Sequence, residues 1–120
     1  MSDKKLLLVD DHGDTCSNLS DILTDFGFTV DIANRGQEAL DLFKGHPYRL
    51  ALLDFKLPDI NGIELFQRMR QIRGSIEGLL VTAYSSKEMT VAALAAGLRH
   101  VISKPVDVTQ MMSLIEQALA

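Results

Sequence analysis

Several short apolar runs in this sequence end in a residue whose side chain can take part in polar chemistry. These residues are Asp10, Asp11, Asp54, Thr82 and Lys104. An aspartate can act as a nucleophile or as a metal ligand. Threonine supplies a hydroxyl group, and lysine supplies a positive charge. A single aspartate after an apolar run is more often a turn or helix cap, so chemistry is expected only if the fold brings several of these residues together.

The spacing of the apolar residues predicts five strands and five helices in alternation. The strand candidates are short runs at residues 6–9, 29–33, 50–53, 78–82 and 100–103. Helical stripes with i, i+3, i+4 spacing lie between them, for example Leu19, Ile22 and Leu23. This alternation predicts an α/β fold with a parallel sheet. The first, third and fourth runs are continuously apolar, as strands covered on both faces are, whereas the mixed second and fifth runs are expected at the edges. The expected strand order is therefore 2-1-3-4-5, a flavodoxin-like doubly wound sheet with five flanking helices.

Caps and glycines predict where the helices begin and end. Ser85 with Glu88, and Asp107 with Gln110, have the spacing of a capping box. A glycine that follows a helical pattern can close it in the left-handed conformation. Four glycines are candidates for this role: Gly27, Gly45, Gly74 and Gly97.

Composition limits the class of protein. The 120 residues carry a net charge of −4, and 47% of them are hydrophobic, so we expect one globular domain over residues 1–120. The basic residues are scattered, which argues against direct contact with nucleic acid. No apolar run could span a bilayer and residues 1–20 lack the pattern of a signal peptide, so no membrane association is expected. The single cysteine, Cys16, fits a reducing compartment, and we expect a cytoplasmic protein.

In the expected strand order, strands 1, 3, 4 and 5 are neighbours, so the polar residues at their carboxyl ends would converge on one crevice. Three carboxylates there would repel one another by about 4 kcal/mol per pair at ~4 Å. Together with one lysine they leave a formal charge of −2, which a divalent cation with oxygen ligands, Mg²⁺ or Mn²⁺, would balance. Lys104 and Thr82 would then face an anionic group such as a phosphoryl group, and an aspartate could form an acyl phosphate.

The segments LLLVDD, LLDFKLPDING, LLVTA and SKP, in this order and spacing, resemble the receiver domain of response regulators in two-component signalling, the CheY-like superfamily. The resemblance covers essentially the whole chain. It implies that Asp54 is the aspartate phosphorylated by a partner's phosphohistidine. It also implies that the Thr82 hydroxyl, the Ala83 N–H and Lys104 contact the phosphoryl group.

The resemblance also implies a metal site. Asp11 would bind Mg²⁺ directly, Asp10 would often act through water, and Asp54 with the backbone carbonyl of Lys56 would complete the protein ligands. The peptide bond before Pro105 is expected to be cis.

The implied partners are a sensor histidine kinase or a histidine phosphotransfer protein. Phosphorylation is expected to change the face formed by the fourth helix, fifth strand and fifth helix, through which two receivers could also pair. Receivers usually carry an aromatic residue three positions before the lysine, but this chain has Val101, so we expect the response to run through the Thr82 loop and the fourth helix. Lys56 and Tyr84 occupy positions that flank the path of the hydrolytic water, and we expect them to prolong the acyl phosphate.

A signalling switch of this kind would catalyse only its own phosphoryl transfer and dephosphorylation, and would not be an enzyme in the usual sense. Two other functions are alternatives to it. One is a Mg²⁺-dependent phosphohydrolase that uses an aspartyl phosphate, which is disfavoured because Lys56 stands where such enzymes need a second aspartate. The other is a pseudo-receiver that binds partners without phosphorylation, although such proteins typically lose the acids or the lysine.

The histidines and the cysteine receive structural interpretations. His12 is next to the acids, but a solvated loop is the favoured interpretation. His46 and His100 lack metal-ligand spacing. Cys16 is interpreted as a small helix residue.

Overall fold

The computed structural model describes residues 5–120, apart from the side chain of Thr15. Residues 1–4, which the predicted domain includes, lie outside the described part. Within residues 5–120, five strands and five helices alternate. The strands are β1 (Lys5–Val9), β2 (Thr29–Ala33), β3 (Leu50–Asp54), β4 (Glu77–Thr82) and β5 (His100–Ser103). The helices are α1 (Gly13–Asp25), α2 (Gly36–Gly45), α3 (Gly62–Ile72), α4 (Lys87–Ala95) and α5 (Val108–Leu119).

All neighbouring strands pair in parallel, in the order β2-β1-β3-β4-β5. This confirms the predicted α/β class and strand order. The register keeps the carboxyl ends of the strands level, since Val9 lies opposite Leu53 and Thr82 opposite Ser103. Residues that follow these positions therefore reach the same edge of the sheet.

Apolar side chains cover both faces of the central strands. In β1, Leu6 and Leu8 belong to the core cluster that includes α1 and α5, while Leu7 and Val9 belong to the cluster that includes α2 and α3. The strands β1, β3 and β4 are buried over almost their whole length, whereas β2 and β5 are partly exposed. The continuous apolar runs were thus correctly assigned to the centre of the sheet.

The predicted cap of α4 is wrong by one residue. The hydroxyl of Ser86, not of Ser85, accepts the hydrogen bond from the backbone N–H of Met89 at 3.1 Å. Ser85 pairs instead with the hydroxyl of Ser103 at the end of β5, at 3.1 Å. A tertiary contact between the β4–α4 loop and the end of β5 therefore takes the place of the predicted local cap.

The other helix ends agree in part with the predictions. The Asp107 carboxylate caps α5 by accepting from the Gln110 N–H at 3.0 Å, as predicted. Gly27 and Gly97 have positive φ, at 94° and 99°. Gly45 and Gly74 do not take this role, because α2 and α3 end in residues with extended backbone, His46 and Arg73.

The amino end of α2 is capped from a distant loop. Its own N-cap residue, Arg35, makes no side-chain cap. Asp59, in the β3–α3 loop, accepts from the backbone N–H groups of Gly36 at 2.8 Å and Gln37 at 2.9 Å. A Cβ at Gly36 would lie 2.1 Å from Ile60, so only glycine permits this approach. The loop after β3 is thereby fixed to α2.

In residues 5–120, no helix combines the length and apolar character needed to cross a bilayer.

Replacing Asp59 with alanine should lower the free energy of unfolding by about 1 kcal/mol, since it leaves two helix N–H groups without their cap. The slight burial of Asp59 acts to raise its pKa, but the bonds from Gly36 and Gln37 prevail and hold the pKa below the usual aspartate value. Its contribution should therefore be complete above the ordinary aspartate pKa and disappear as the pH falls through the lowered one. Urea unfolding across this pH range measures both effects.

The control for this substitution is Asp41→Ala, which removes an exposed acid from α2 that bonds only the Gln37 side chain in the described contacts. An equal loss of stability in both variants, or a loss that does not depend on pH, would contradict the capping role.

Candidate functional site

The ends of β1, β3 and β5 bring two buried aspartates and a lysine into contact. Lys104 Nζ lies 3.0 Å from Asp10 Oδ2 and 3.5 Å from Asp54 Oδ2. Both carboxylates are almost fully buried. The level strand ends therefore place one ammonium group against two carboxylates, as the sequence predicted.

Asp11 and His12 extend this cluster toward solvent. One ligand atom from each of Asp10, Asp11, His12 and Asp54 lies within 4.8 Å of every other. Asp11 is more exposed than the other two acids. With Lys104, the three carboxylates keep a formal excess of negative charge. Such a set of closely spaced oxygen atoms fits a divalent cation.

The His12 ring contacts the acids, although the sequence favoured a solvated loop. Its Nδ1 lies 3.1 Å from Asp10 Oδ1, 3.1 Å from Asp11 Oδ1 and 3.9 Å from Asp54 Oδ2. The ring is nevertheless 66% exposed. The less favoured alternative, in which His12 touches the site, is thus the observed one.

The other two histidines lie away from the acids. The His46 Nδ1 is 2.9 Å from the carbonyl of Leu42, and its ring packs at a tilt against Tyr48. His100 is exposed at the first residue of β5, at the opposite end of the strand from Lys104. Both agree with their structural or solvated interpretation.

Backbone contacts fix the position of Asp10. Its N–H donates to the carbonyl of Ala33 at 3.1 Å, and its carbonyl accepts from the Asn34 side-chain amide and from the Cys16 thiol, both at 3.1 Å. The His12 N–H donates to Asp10 Oδ1 at 2.9 Å. Burial, together with the Asp10 charge, raises the pKa of Cys16 to about 11, so the thiol remains a donor at neutral pH. Asn34 was not identified from the sequence, and Cys16 was interpreted only as a helix residue.

The pKa values of the two inner aspartates are shifted in opposite directions by their surroundings. Burial, followed by the charge of Asp10, raises the pKa of Asp54. Burial acts in the same direction on Asp10, but the hydrogen bonds from the His12 N–H and from Lys104 prevail and lower its pKa. Burial acts to lower the pKa of Lys104, but contact with Asp10 and Asp54 raises it. Asp10 and Lys104 therefore form the charged ion pair, whereas the repulsion between Asp10 and Asp54 is offset only in part by Lys104.

The β4–α4 loop forms another side of the crevice. Thr82 is buried at the end of β4, and its Oγ1 accepts from the Tyr84 N–H at 3.2 Å. The Thr82 carbonyl accepts from the Lys104 N–H at 2.8 Å, which links this loop to the end of β5. Ala83 and Tyr84 are exposed, and the Tyr84 side chain is 81% accessible.

The β3–α3 loop turns tightly behind Asp54. The Gly62 N–H donates to the Phe55 carbonyl at 2.8 Å, and Lys56 bridges to Asn61. A Cβ at Gly62 would lie 2.4 Å from the Asp54 carbonyl oxygen, so glycine is required here. The side chain of Asn61 caps α3 by accepting from the Glu64 N–H at 2.8 Å. Lys56 thus lies in a loop closed directly onto the strand that carries Asp54.

The end of β5 contains the remaining predicted residues. Val101 is half-buried in β5 and packs against the cluster that includes α3. The Lys104–Pro105 peptide bond is cis, as the resemblance implies.

Comparison with known proteins identifies relatives along most of the chain. The family described as the response regulator receiver domain matches residues 6–116. The transcriptional regulatory protein ZraR of Escherichia coli (strain K12) is 33% identical over 115 residues, which are 96% of this chain. The same match is only 26% of ZraR, so the chain spans about a quarter of that relative.

Solved structures share the same fold. A CheY-like receiver domain protein from Methanospirillum hungatei JF-1 has a TM-score of 0.92 and 34% identity, covering 97% of this chain and 93% of that one. A CheX-CheY-BeF3-Mg+2 complex from Borrelia burgdorferi includes a chain with a TM-score of 0.92, 24% identity, and coverage of 97% and 89%. The second likeness concerns the fold alone.

The same substitution at the two inner aspartates should have opposite effects on stability. In EDTA at neutral pH, Asp54→Asn should raise the free energy of unfolding by on the order of 1 kcal/mol, because it removes repulsion that Lys104 offsets only in part. Asp10→Asn should lower it, because it removes the partner of Lys104. Chemical unfolding of the three proteins measures the difference.

The pH dependence should also have opposite signs. The gain from Asp54→Asn should grow as the pH rises from the ordinary aspartate pKa to the raised pKa of Asp54 and be complete above it. It should vanish below the ordinary value, where Asp54 is protonated in both the native and the unfolded protein. The loss from Asp10→Asn should be present above the ordinary aspartate pKa and vanish as the pH falls through the lowered one. If both variants lose stability equally at every pH, the assignment of the charges is wrong.

Proposed function

Because this chain belongs to the response regulator receiver domain family of two-component systems, we propose that Asp54 accepts a phosphoryl group from a phosphohistidine. The donor would be a sensor histidine kinase or a histidine phosphotransfer protein. The observation that carries the proposal is the contact of Lys104 with both buried aspartates, at 3.0 Å and 3.5 Å, beside the cluster of acids.

The transfer needs a nucleophile that is positioned and ionised. A carboxylate oxygen of Asp54 attacks the phosphorus atom, a P–O bond forms, and the P–N bond to the donor histidine breaks with its electron pair left on the ring nitrogen. The rigid end of β3 and the closed loop at Gly62 hold the carboxylate in place. The approach of a phosphoryl anion is electrostatically unfavourable, because the carboxylates of Asp54 and Asp10 already repel each other.

A divalent cation bound by the acids would reduce this repulsion. Asp10, Asp11 and Asp54 are the carboxylates close enough to hold Mg²⁺ or Mn²⁺, and the backbone carbonyl of Lys56 would complete the protein ligands. The bound ion would neutralise charge on the acids and on the phosphoryl oxygens.

Side chains around the crevice would hold the phosphorylated state. Lys104 can turn from the carboxylates to a phosphoryl oxygen without leaving the site, since its side chain is largely buried there. Thr82 would donate its hydroxyl to the phosphoryl group, with the Ala83 N–H beside it. The hydroxyl hydrogen is free for this purpose, because Thr82 Oγ1 acts as the acceptor toward the Tyr84 N–H.

A groove beside the acids would receive the phosphodonor. It runs between α1 and the segment that follows β5, and its apolar lining includes Leu19, Ile22, Val106 and Val108. Lys104 and Pro105 form the end of the groove nearest the acids. A partner helix seated there would place its histidine near Asp54.

Phosphorylation of Asp54 would change the conformation of the face formed by α4, β5 and α5. On α4, Val91 and Leu94 are exposed apolar residues, which suits this face to an effector or to a second receiver. Val101 carries no ring that could rotate, so the Thr82–Tyr84 loop would carry the change to α4. We place this function in the cytoplasm, in keeping with the buried free thiol of Cys16.

Phosphorylation is tested by incubation with acetyl phosphate and Mg²⁺. Intact-mass analysis should find one added phosphoryl group, which Asp54→Asn abolishes and Asp41→Asn, at an exposed acid of α2, leaves unchanged. Lys104→Met should slow the reaction at least about tenfold, a change of about 1.4 kcal/mol in the barrier. Absence of the adduct would indicate a pseudo-receiver, and sustained turnover of unrelated phosphate esters would indicate a hydrolase.

The lifetime of the acyl phosphate should depend on Lys56 and Tyr84, whose exposed side chains lie on the two loops that border the site. Replacing both with alanine should open the path of the hydrolytic water and speed dephosphorylation about tenfold. The loss of the phosphorylated form after removal of the donor measures this rate. An unchanged rate in the double variant would show that these side chains do not screen the acyl phosphate.

A further inference from the structure

We propose that the His12 imidazole is a ligand of the divalent cation and that, relative to Mg²⁺, it favours Co²⁺ strongly and Mn²⁺ to a smaller degree. This inference rests on the proposed function, because it concerns the same cation site. It adds a nitrogen donor to a set that otherwise consists of oxygen atoms.

The placement of the ring carries the inference. His12 Nδ1 lies 3.1 Å from one oxygen each of Asp10 and Asp11, and 3.9 Å from Asp54. All three carboxylates and the imidazole can therefore contribute an atom to one site less than 4.8 Å across. A ring that merely followed the loop into solvent would not approach three acids at once.

Lys104 and His12 approach different oxygens of Asp10. Lys104 Nζ is 3.0 Å from Oδ2, whereas the His12 N–H and Nδ1 lie 2.9 Å and 3.1 Å from Oδ1. The Oδ1 side, shared by Asp10, Asp11 and His12, is therefore free of the ammonium group. A cation entering from solvent would meet the two carboxylates and the imidazole on that side.

The backbone holds the ring near the acids while leaving its nitrogen available. His12 is the N-cap residue of α1, yet its side chain makes no cap hydrogen bond. Its carbonyl accepts from the Cys16 N–H at 3.0 Å, and its own N–H is bound to Asp10. With the backbone fixed on both sides and the ring 66% exposed, the imidazole can exchange a carboxylate contact for a metal contact without moving the chain.

The chemistry of the donors sets the expected selectivity. Carboxylate and carbonyl oxygens suit Mg²⁺ and Mn²⁺, while an imidazole nitrogen suits later first-row ions better and Mg²⁺ poorly. Ligation through Nδ1 requires the neutral ring with its proton on Nε2. His12 should therefore contribute much to the binding of Co²⁺, a measurable amount to Mn²⁺ and little to Mg²⁺.

The test compares metal binding by the full chain and two variants at one fixed pH. His12→Gln keeps a polar side chain of similar length but removes the imidazole. His100→Gln makes the same change at an exposed histidine on the opposite edge of the sheet and serves as the control. Isothermal titration with Mg²⁺, Mn²⁺ and Co²⁺ should show that His12→Gln weakens Co²⁺ binding about tenfold and Mn²⁺ binding less, with Mg²⁺ nearly unchanged. His100→Gln should match the parent for all three ions.

A spectroscopic readout identifies the ligand directly. Pulsed electron paramagnetic resonance of the Mn²⁺-loaded parent should show coupling to a nitrogen nucleus, and His12→Gln should abolish it while His100→Gln retains it. Binding of Mg²⁺ and Mn²⁺ without nitrogen coupling, or an equal loss for every ion in His12→Gln, would overturn the role of His12 and leave the proposed function intact. No binding of any divalent ion by the parent would overturn the proposed cation site itself.

Discussion

Lys104 joins two buried carboxylates that belong to distant parts of the chain. Its Nζ lies 3.0 Å from Asp10, a residue 94 positions earlier, and 3.5 Å from Asp54. Two carboxylates in a largely buried edge of a sheet are unfavourable unless a cation lies between them. Against the effect of burial, the His12 N–H and the Lys104 ammonium group together lower the pKa of Asp10. Burial and the charge of Asp10 leave Asp54 with a raised pKa. The site is therefore incompletely neutralised by its own side chains, and this residual negative charge attracts cations.

The hydrophobic sheet is what keeps this charge arrangement in place. The strands β1 and β3 are covered on both faces, so neither can move away from the repulsion without exposing core residues. Local contacts add precision, since the Asp10 backbone is held by Ala33, Asn34 and Cys16. Burial of the apolar core thus holds Asp10 and Asp54 close together in spite of the repulsion between their carboxylates.

The strand order and the convergence of Asp10, Asp54 and Lys104 could be predicted because they follow from apolar runs, and parallel strands place their carboxyl ends together. The roles of Asn34 and Asp59 could not be predicted, since each side chain bonds a backbone group more than 20 residues away in sequence. Contact of His12 with the acids was the less favoured of two interpretations, because it depends on the conformation of the loop after β1. Ser85 shows the same limit: its spacing to Glu88 favoured a cap, but the nearby hydroxyl of Ser103 gave it another partner. Only the short separation of His12 from the paired aspartates was a usable signal in the sequence.

The two loops that border Asp54, β3–α3 and β4–α4, differ in the number of contacts that hold them. The loop with fewer contacts is the one expected to change conformation more easily. The β3–α3 loop is held at both ends, by Asp59 on α2 and by Gly62 against Asp54. The β4–α4 loop has fewer such contacts in the described residues, with an exposed Tyr84 and a hydroxyl pair between Ser85 and Ser103 at its surface. In the proposed phosphorylated state, the group on Asp54 would have the firmly held β3–α3 loop on one side and the less restrained β4–α4 loop on the other. Because that loop leads directly into α4, we expect the proposed structural change to pass toward α4, although Val101 carries no aromatic ring.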